Sequence, residues 1–188
     1  MPPADAVTAA KAQLRASLRA RRRARSGAGR GEVGAVLLDA LAGTTVVAAY
    51  VPDGSEPDVG SFLDAFPGRV LLPVIDGADL RWAEHDGRLA PGRFGLLEPD
   101  GPRLPPSALG AARVVVVPAL AVDRRGVRLG RGRGYYDRAL AHAAADAVLV
   151  AVVFDGELLD VVPEEAHDRR VHAVVTPTGG WQDLPLPG

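Results

Sequence analysis

Cysteine is absent from the 188 residues. That removes disulfides, iron–sulfur clusters, thiolate zinc sites and cysteine nucleophiles, and leaves oxygen or imidazole to hold any metal. Lysine is almost absent too: Lys11 stands alone, and arginine supplies every other basic residue. In that background a single ammonium marks a place where a compact charge suits better than a planar fork. No uncharged apolar run approaches the roughly 20 residues of a membrane helix, and the N-terminal segment lacks the apolar stretch and small-residue cleavage site of a secretory signal, so the expected location is the cytoplasm, away from membranes. Aromatic residues make up only 5% of the chain, and they do not interleave with the basic residues as they do in readers of single-stranded bases. With a net charge of −1 the whole molecule has no nucleic-acid-scale positive field, and no nucleic-acid partner is expected.

What is present is enough apolar sequence, 47% of residues, to bury one sizeable core, read as a single domain over residues 1–188 and expected as a monomer. The charge is uneven. Through Arg30 the only acid is Asp5, against Lys11 and seven arginines. Val7, Ala10, Leu14 and Leu18 recur at helical spacing, which predicts an amphipathic helix over residues 4 to about 25, broken at Ser26-Gly27-Ala28-Gly29. Lys11, Arg15, Arg19 and Arg22 form one stripe along it, so their charges can act together on an anion. A shorter helix is predicted over residues 32–41.

Strands and helices then alternate: a strand over 44–50, a helix over 58–66 with Asp58 as candidate cap, and a strand over 69–75. A Pro/Gly-rich, loop-like stretch from 91 to 110 leads into an apolar strand over 114–117, a glycine-rich loop, a helix from 135 to about 144, and strands over 147–154 and 171–176. Residues 184–188 read as loop. Near-continuous apolar strands separated by helices imply an α/β domain of three layers, with a mostly parallel, Rossmann-like sheet covered by helices on both faces.

The most informative stretch runs from Val116 through Asp123 to Arg138. Gly130, Gly132 and Gly134 leave backbone N–H groups free to converge on an anion, Arg128, Arg131 and Arg133 add positive charge, and the following helix adds its N-terminal dipole. This suits a polyphosphate, although neither the Walker spacing nor the dinucleotide fingerprint is present. A flexible arginine-rich turn meeting RNA phosphates would share that composition. Asp137 weighs against RNA, because a carboxylate in the first helical turn beside the loop can hold Mg²⁺ against the phosphates; its other reading is a favourable charge on the helix dipole.

Arg128-Leu129-Gly130-Arg131-Gly132-Arg133-Gly134-Tyr135-Tyr136-Asp137 resembles the R-L-G-x-G-x-G-Y-Y-D pattern of the 5-formyltetrahydrofolate cyclo-ligase family. Val117-Pro118 with Asp123 resembles its V-P-x-x-x-x-D, Phe94-Gly95 with Glu98-Pro99 its F-G-I-x-E-P, Lys11 through Arg15 its K-x-x-L-R, and Tyr50 with Glu56 and Asp58 its tyrosine strand and G-E-x-D-T. The resemblance implies conversion of 5-formyltetrahydrofolate to 5,10-methenyltetrahydrofolate with ATP as co-substrate and Mg²⁺ as cofactor. It places Lys11, Arg15 and the run Arg128, Leu129, Gly130, Arg131, Gly132, Arg133, Gly134, Tyr135 and Tyr136 at ATP, with Tyr135 and Tyr136 also facing the folate. Arg131, Arg133 and Tyr136 fall to catalysis, and Asp53, Glu56, Asp58 and Phe94 to the folate, with the choice between Glu56 and Asp58 open. Asp137 and Asp168 would hold the metal, with His167 a possible outer support. Ser55, Val59, Arg133 and Leu80-Arg81-Trp82 depart from the family pattern, mostly on the substrate side. The four histidines show no ligand spacing of their own. The implied phosphoryl transfer needs positioning and charge stabilisation, and no protein nucleophile.

Overall fold

A computed structural model describes residues 4–25 and 32–185, so the predicted break at residues 26–29 lies outside the described residues. In chain order the strands are β1 (Val46–Ala48), β2 (Arg69–Asp76), β3 (Asp79–Glu84), β4 (Leu89–Pro91), β5 (Leu97–Pro99), β6 (Val114–Pro118), β7 (Ala121–Asp123), β8 (Arg128–Leu129), β9 (Val148–Val152), β10 (Leu158–Leu159), β11 (Ala173–Thr176) and β12 (Gly180–Asp183). The α-helices are α1 (Ala4–Ala24), α2 (Gly34–Ala40), α3 (Gly60–Ala65) and α4 (Tyr135–Ala139).

Seven strands form the main sheet in the order β12-β11-β9-β6-β1-β2-β3. The inner five pair in parallel, while β3 and β12 close the edges antiparallel. Hairpin partners at both edges explain why they escape an alternation of strands and helices: each returns directly without a crossover helix. Period-two side chains divide the core into two layers. On one face Val47, Leu72, Val116, Val150 and Val175 pack with Leu37 of α2 and Phe62 of α3. On the other, Ala48, Leu71, Val115, Val117, Leu149 and Val174 pack with Leu109, Ala139 and Leu140. The expected three-layer, mostly parallel α/β architecture is therefore what forms.

Several boundaries differ. The helix expected to reach about residue 144 is only α4 followed by a 3-10 turn at Leu140–His142; alanines extend a helical pattern without fixing its end, and the buried Leu140 lets the chain turn toward β9. The helix expected from residue 58 begins at Gly60, and the Asp58 carboxylate accepts the Gly60 N–H at 2.8 Å. The stretch read as loop over 91–110 holds the end of β4, all of β5 and most of a 3-10 helix at Pro106–Ala111. Helix α1 leaves the main sheet alone and lays Leu14 and Leu18 on a second, three-stranded sheet, β10-β7-β8, against Leu120, Val127, Leu129 and Val162. Among the described residues no helix is long and apolar enough to cross a membrane.

Half-buried His172 lends the fold a pH response. Its Nδ1 accepts the Leu149 N–H at 2.9 Å, and burial, aided by the Arg169 charge, holds its pKa below the ordinary 6.5. The unfolded chain then binds this proton first as pH falls, so stability is full above about pH 6.5 and declines below it. Denaturant unfolding is expected to show His172→Gln losing less stability than the parent between about pH 7 and about pH 5.5.

Candidate active site

The five parallel strands, numbered among themselves, run 2-1-3-4-5. Successive connections therefore depart in opposite directions from the gap between β1 and β6, which opens a crevice at the carboxyl ends of those strands. A cavity of about 390 Å³ lies there, lined by Tyr50, Val51, Asp53 and Glu56 beyond β1, by Pro73 and Ile75 on β2, by Pro118 of β6 and by the glycine-rich loop. Lys11, Arg15, Phe94, Arg128, Gly130, Arg131, Gly132, Arg133, Gly134, Tyr135, Tyr136, Asp137 and Asp168 also line it. Of the residues singled out from sequence, Leu129 and Asp58 do not: Leu129 packs inward beneath α1, and Asp58 holds the start of α3.

The loop owes its shape to glycine and to α1. Gly132 and Gly134 adopt φ of +95° and +69°, where a side chain would strain the backbone. Arg15 Nε donates to the Gly130 carbonyl at 2.9 Å and Arg19 Nη2 to the Arg131 carbonyl at 2.7 Å. These contacts occupy the loop carbonyls and leave its N–H groups for a ligand. Part of the cationic stripe is thus spent inside the protein. Arg22, deepest in it, makes a bidentate pair with Glu157 at 2.8 and 2.6 Å, both side chains 2% exposed, and donates to the Ala119 carbonyl.

Asp123 organises the strands beneath. Fully buried, it accepts from the backbone N–H groups of Arg125, Val127 and Val162 and from the Arg125 guanidinium. Burial works to raise its pKa, and those donors outweigh it and hold the pKa low. One carboxylate thereby ties the β7–β8 turn to the segment leading to Asp168.

Charge divides the cavity. One end gathers the cations Lys11, Arg15, Arg128 and Arg133 and the loop amides around Asp137 and Asp168. At the other, Arg131 reaches back to Asp53 Oδ2 at 2.5 Å, Glu56 Oε1 at 3.1 Å and Ser55 Oγ at 3.2 Å. Burial pushes the Glu56 pKa up despite Arg131, whereas Asp53 is held low because Ser55 and Arg131 outweigh its burial. Glu56 Oε2 accepts the Asp53 N–H at 3.1 Å.

Asp137 and Asp168 both face this space. Arg128 Nη2 donates to Asp137 Oδ1 at 2.5 Å, while Lys11 Nζ lies 2.5 Å from Asp168 Oδ2 and 2.7 Å from Glu165 Oε2. Each carboxylate keeps one oxygen outside these contacts, a hard donor set that fits Mg²⁺. Glu165, His167 and Asp168 bring ligand atoms within 4.8 Å of one another; Lys11 offsets one of the two carboxylate charges, and His167 is exposed.

Phe94 sits at the tip of the β4–β5 ribbon with φ of +60°, 59% exposed, its ring 3.8 Å from the Arg133 guanidinium carbon. A non-glycine residue in that backbone region is held there by its surroundings. Tyr50, Glu98 and Glu165 complete the site without having been singled out as functional. Glu98 lines the cavity and accepts the Ile75 N–H at 3.1 Å; its signal in the sequence was its place in the motif from Phe94-Gly95 to Glu98-Pro99, which carried no role for it. Glu165, three residues before Asp168, had none.

The model of the 5-formyltetrahydrofolate cyclo-ligase family matches residues 7–177. The 5-formyltetrahydrofolate cyclo-ligase of Mycolicibacterium smegmatis is 51% identical over 150 residues, 74% of this chain and 77% of its own. That of Escherichia coli is 31% identical over 120 residues, 61% and 66% of the two chains. The 5,10-methenyltetrahydrofolate synthetase of Aquifex aeolicus superposes with a TM-score of 0.77 at 26% identity, covering 95% of this chain and 94% of its own.

Proposed function

The chain belongs to the 5-formyltetrahydrofolate cyclo-ligase family, and from that premise we propose that it converts 5-formyltetrahydrofolate to 5,10-methenyltetrahydrofolate with consumption of Mg·ATP, as a cytoplasmic monomer of one domain. The observation that supports this best is the division of one cavity into a cationic, glycine-built end and a carboxylate end, two subsites for two unlike substrates.

A formamide oxygen is a poor leaving group. It attacks the γ-phosphorus, the bond to the ADP oxygen breaks, and the oxygen becomes part of a phosphate ester. N10 then attacks the activated carbon, loses its proton, and the carbon–oxygen bond breaks to release phosphate. The protein supplies alignment and charge. Lys11, Arg15 and the amides of residues 130–134 receive the polyphosphate. Arg131 and Arg133 meet charge developing on the transferred group. Tyr136 stands between the two ends, close to both Glu56 and Arg128, and Tyr135 lines the same cavity with its hydroxyl donating to the Gly77 carbonyl at 3.3 Å, while Glu56, Asp53 and Phe94 hold the folate. Asp137 and Asp168 would hold Mg²⁺, which supplies neutralisation of phosphate charge when bound. Asp58 supports the folate side indirectly by fixing α3.

Measuring ADP against methenyl product tests the coupling. One ADP per product is expected, with Asp137→Asn demanding more Mg²⁺ for half-maximal rate; product without ADP would overturn the ATP-dependent route.

A further inference from the structure

Tyr50 carries a hydroxyl that the fold does not use. The residue is 3% exposed, lines the cavity, and its Oη has no hydrogen-bond partner among the described residues. An unmet buried donor is costly, and phenylalanine would fill the same space without that cost. Neither nearby carboxylate accepts from it: Glu56 is engaged by Arg131 and the Asp53 N–H, and Asp53 by Ser55 and Arg131. Burial, reinforced by the Glu56 charge, keeps the phenol protonated, so it is a donor at working pH.

The location selects the ligand. Tyr50 follows β1 on the carboxylate side of the cavity, where Asp53 and Glu56 disfavour phosphate oxygens. A neutral ligand with an acceptor beside donors suits a hydroxyl next to a carboxylate, and each Glu56 oxygen retains a further lone pair. Reduced folate has such an edge: the ring 4-oxygen accepts, and the neighbouring ring N–H and amino group donate. Resting on the folate reading above, we propose that Tyr50 is a substrate-contacting specificity residue, its hydroxyl donating to the ring 4-oxygen while Glu56 accepts from the adjacent N–H groups.

Tyr50→Phe changes one atom, and the test is a cycle over that atom and its partner. Parent and variant are titrated, without nucleotide, with 5-formyltetrahydrofolate and with its analogue lacking the ring 4-oxygen. Removing the hydroxyl is expected to weaken binding of 5-formyltetrahydrofolate about tenfold; loss of the ring 4-oxygen also takes away the ring N–H that Glu56 accepts, so it costs both proteins, but it is expected to cost the parent about tenfold more than the variant. Ligand-free Tm of the variant should equal or exceed that of the parent, because an unmet donor is gone. Undiminished binding of 5-formyltetrahydrofolate by Tyr50→Phe, or an oxygen deletion that costs both proteins equally, overturns the assignment while leaving the folate reading intact. A parent protein that binds no folate overturns both.

Discussion

Arg131→Ala lowers turnover by a factor on the order of 10². Arg131 is the one guanidinium of the glycine-rich loop that spans the cavity, from the phosphate cradle to Asp53 and Glu56. Its pKa is raised: burial alone would lower it, and the Glu56 and Asp53 charges more than compensate. Two effects follow from its loss. Charge developing on the transferred phosphoryl group loses a partner, and two carboxylates a few residues apart lose the cation between them. Arg131→Lys keeps the charge but not the fork, so it should recover only part of the rate. Steady-state kinetics with both substrates varied checks this, and an alanine variant with full turnover removes Arg131 from the mechanism.

The second large effect concerns stability. Glu157→Gln should cost about 3–5 kcal/mol in denaturant unfolding, because it leaves the Arg22 guanidinium buried without its counter-charge. Glu157 also accepts the Phe154 N–H at 2.9 Å, so the loss reaches the end of β9. The Arg22–Glu157 pair fastens α1 to the body of the protein, and α1 carries Lys11 and Arg15 to the cavity. ATP affinity should therefore fall in the same variant. The pair Arg22→Met with Glu157→Leu removes both charges together and should recover most of the stability, whereas a double variant as unstable as Glu157→Gln would make packing, not charge, the cause.

The core strands were legible because Val114–Val117 and the other inner strands are buried on both faces and need no polar alternation. The edges were not. Strands β3 and β12 return by tight turns at Gly77 and Gly180, and their pairing is decided by tertiary hydrogen bonds that local pattern does not encode. At the site, the glycine–arginine loop and Asp137 announce themselves because spacing and residue type express the chemistry together. Tyr50 and Glu98 stand in family-like motifs, but nothing in their spacing shows a role until the switch point brings them to one cavity. The cationic stripe of α1 was visible as a stripe, but its use was not: Arg22 faces Glu157, 135 positions away, and only the fold separates the anchoring arginines from Lys11 and Arg15 at the cavity.

Near-ultraviolet absorbance of the protein mixed with 5-formyltetrahydrofolate, ATP and Mg²⁺ tests the central claim most directly. The methenyl chromophore should grow in only when all three are present. Folded protein that binds ATP yet yields no chromophore would contradict it and assign the nucleotide end of the cavity to another reaction.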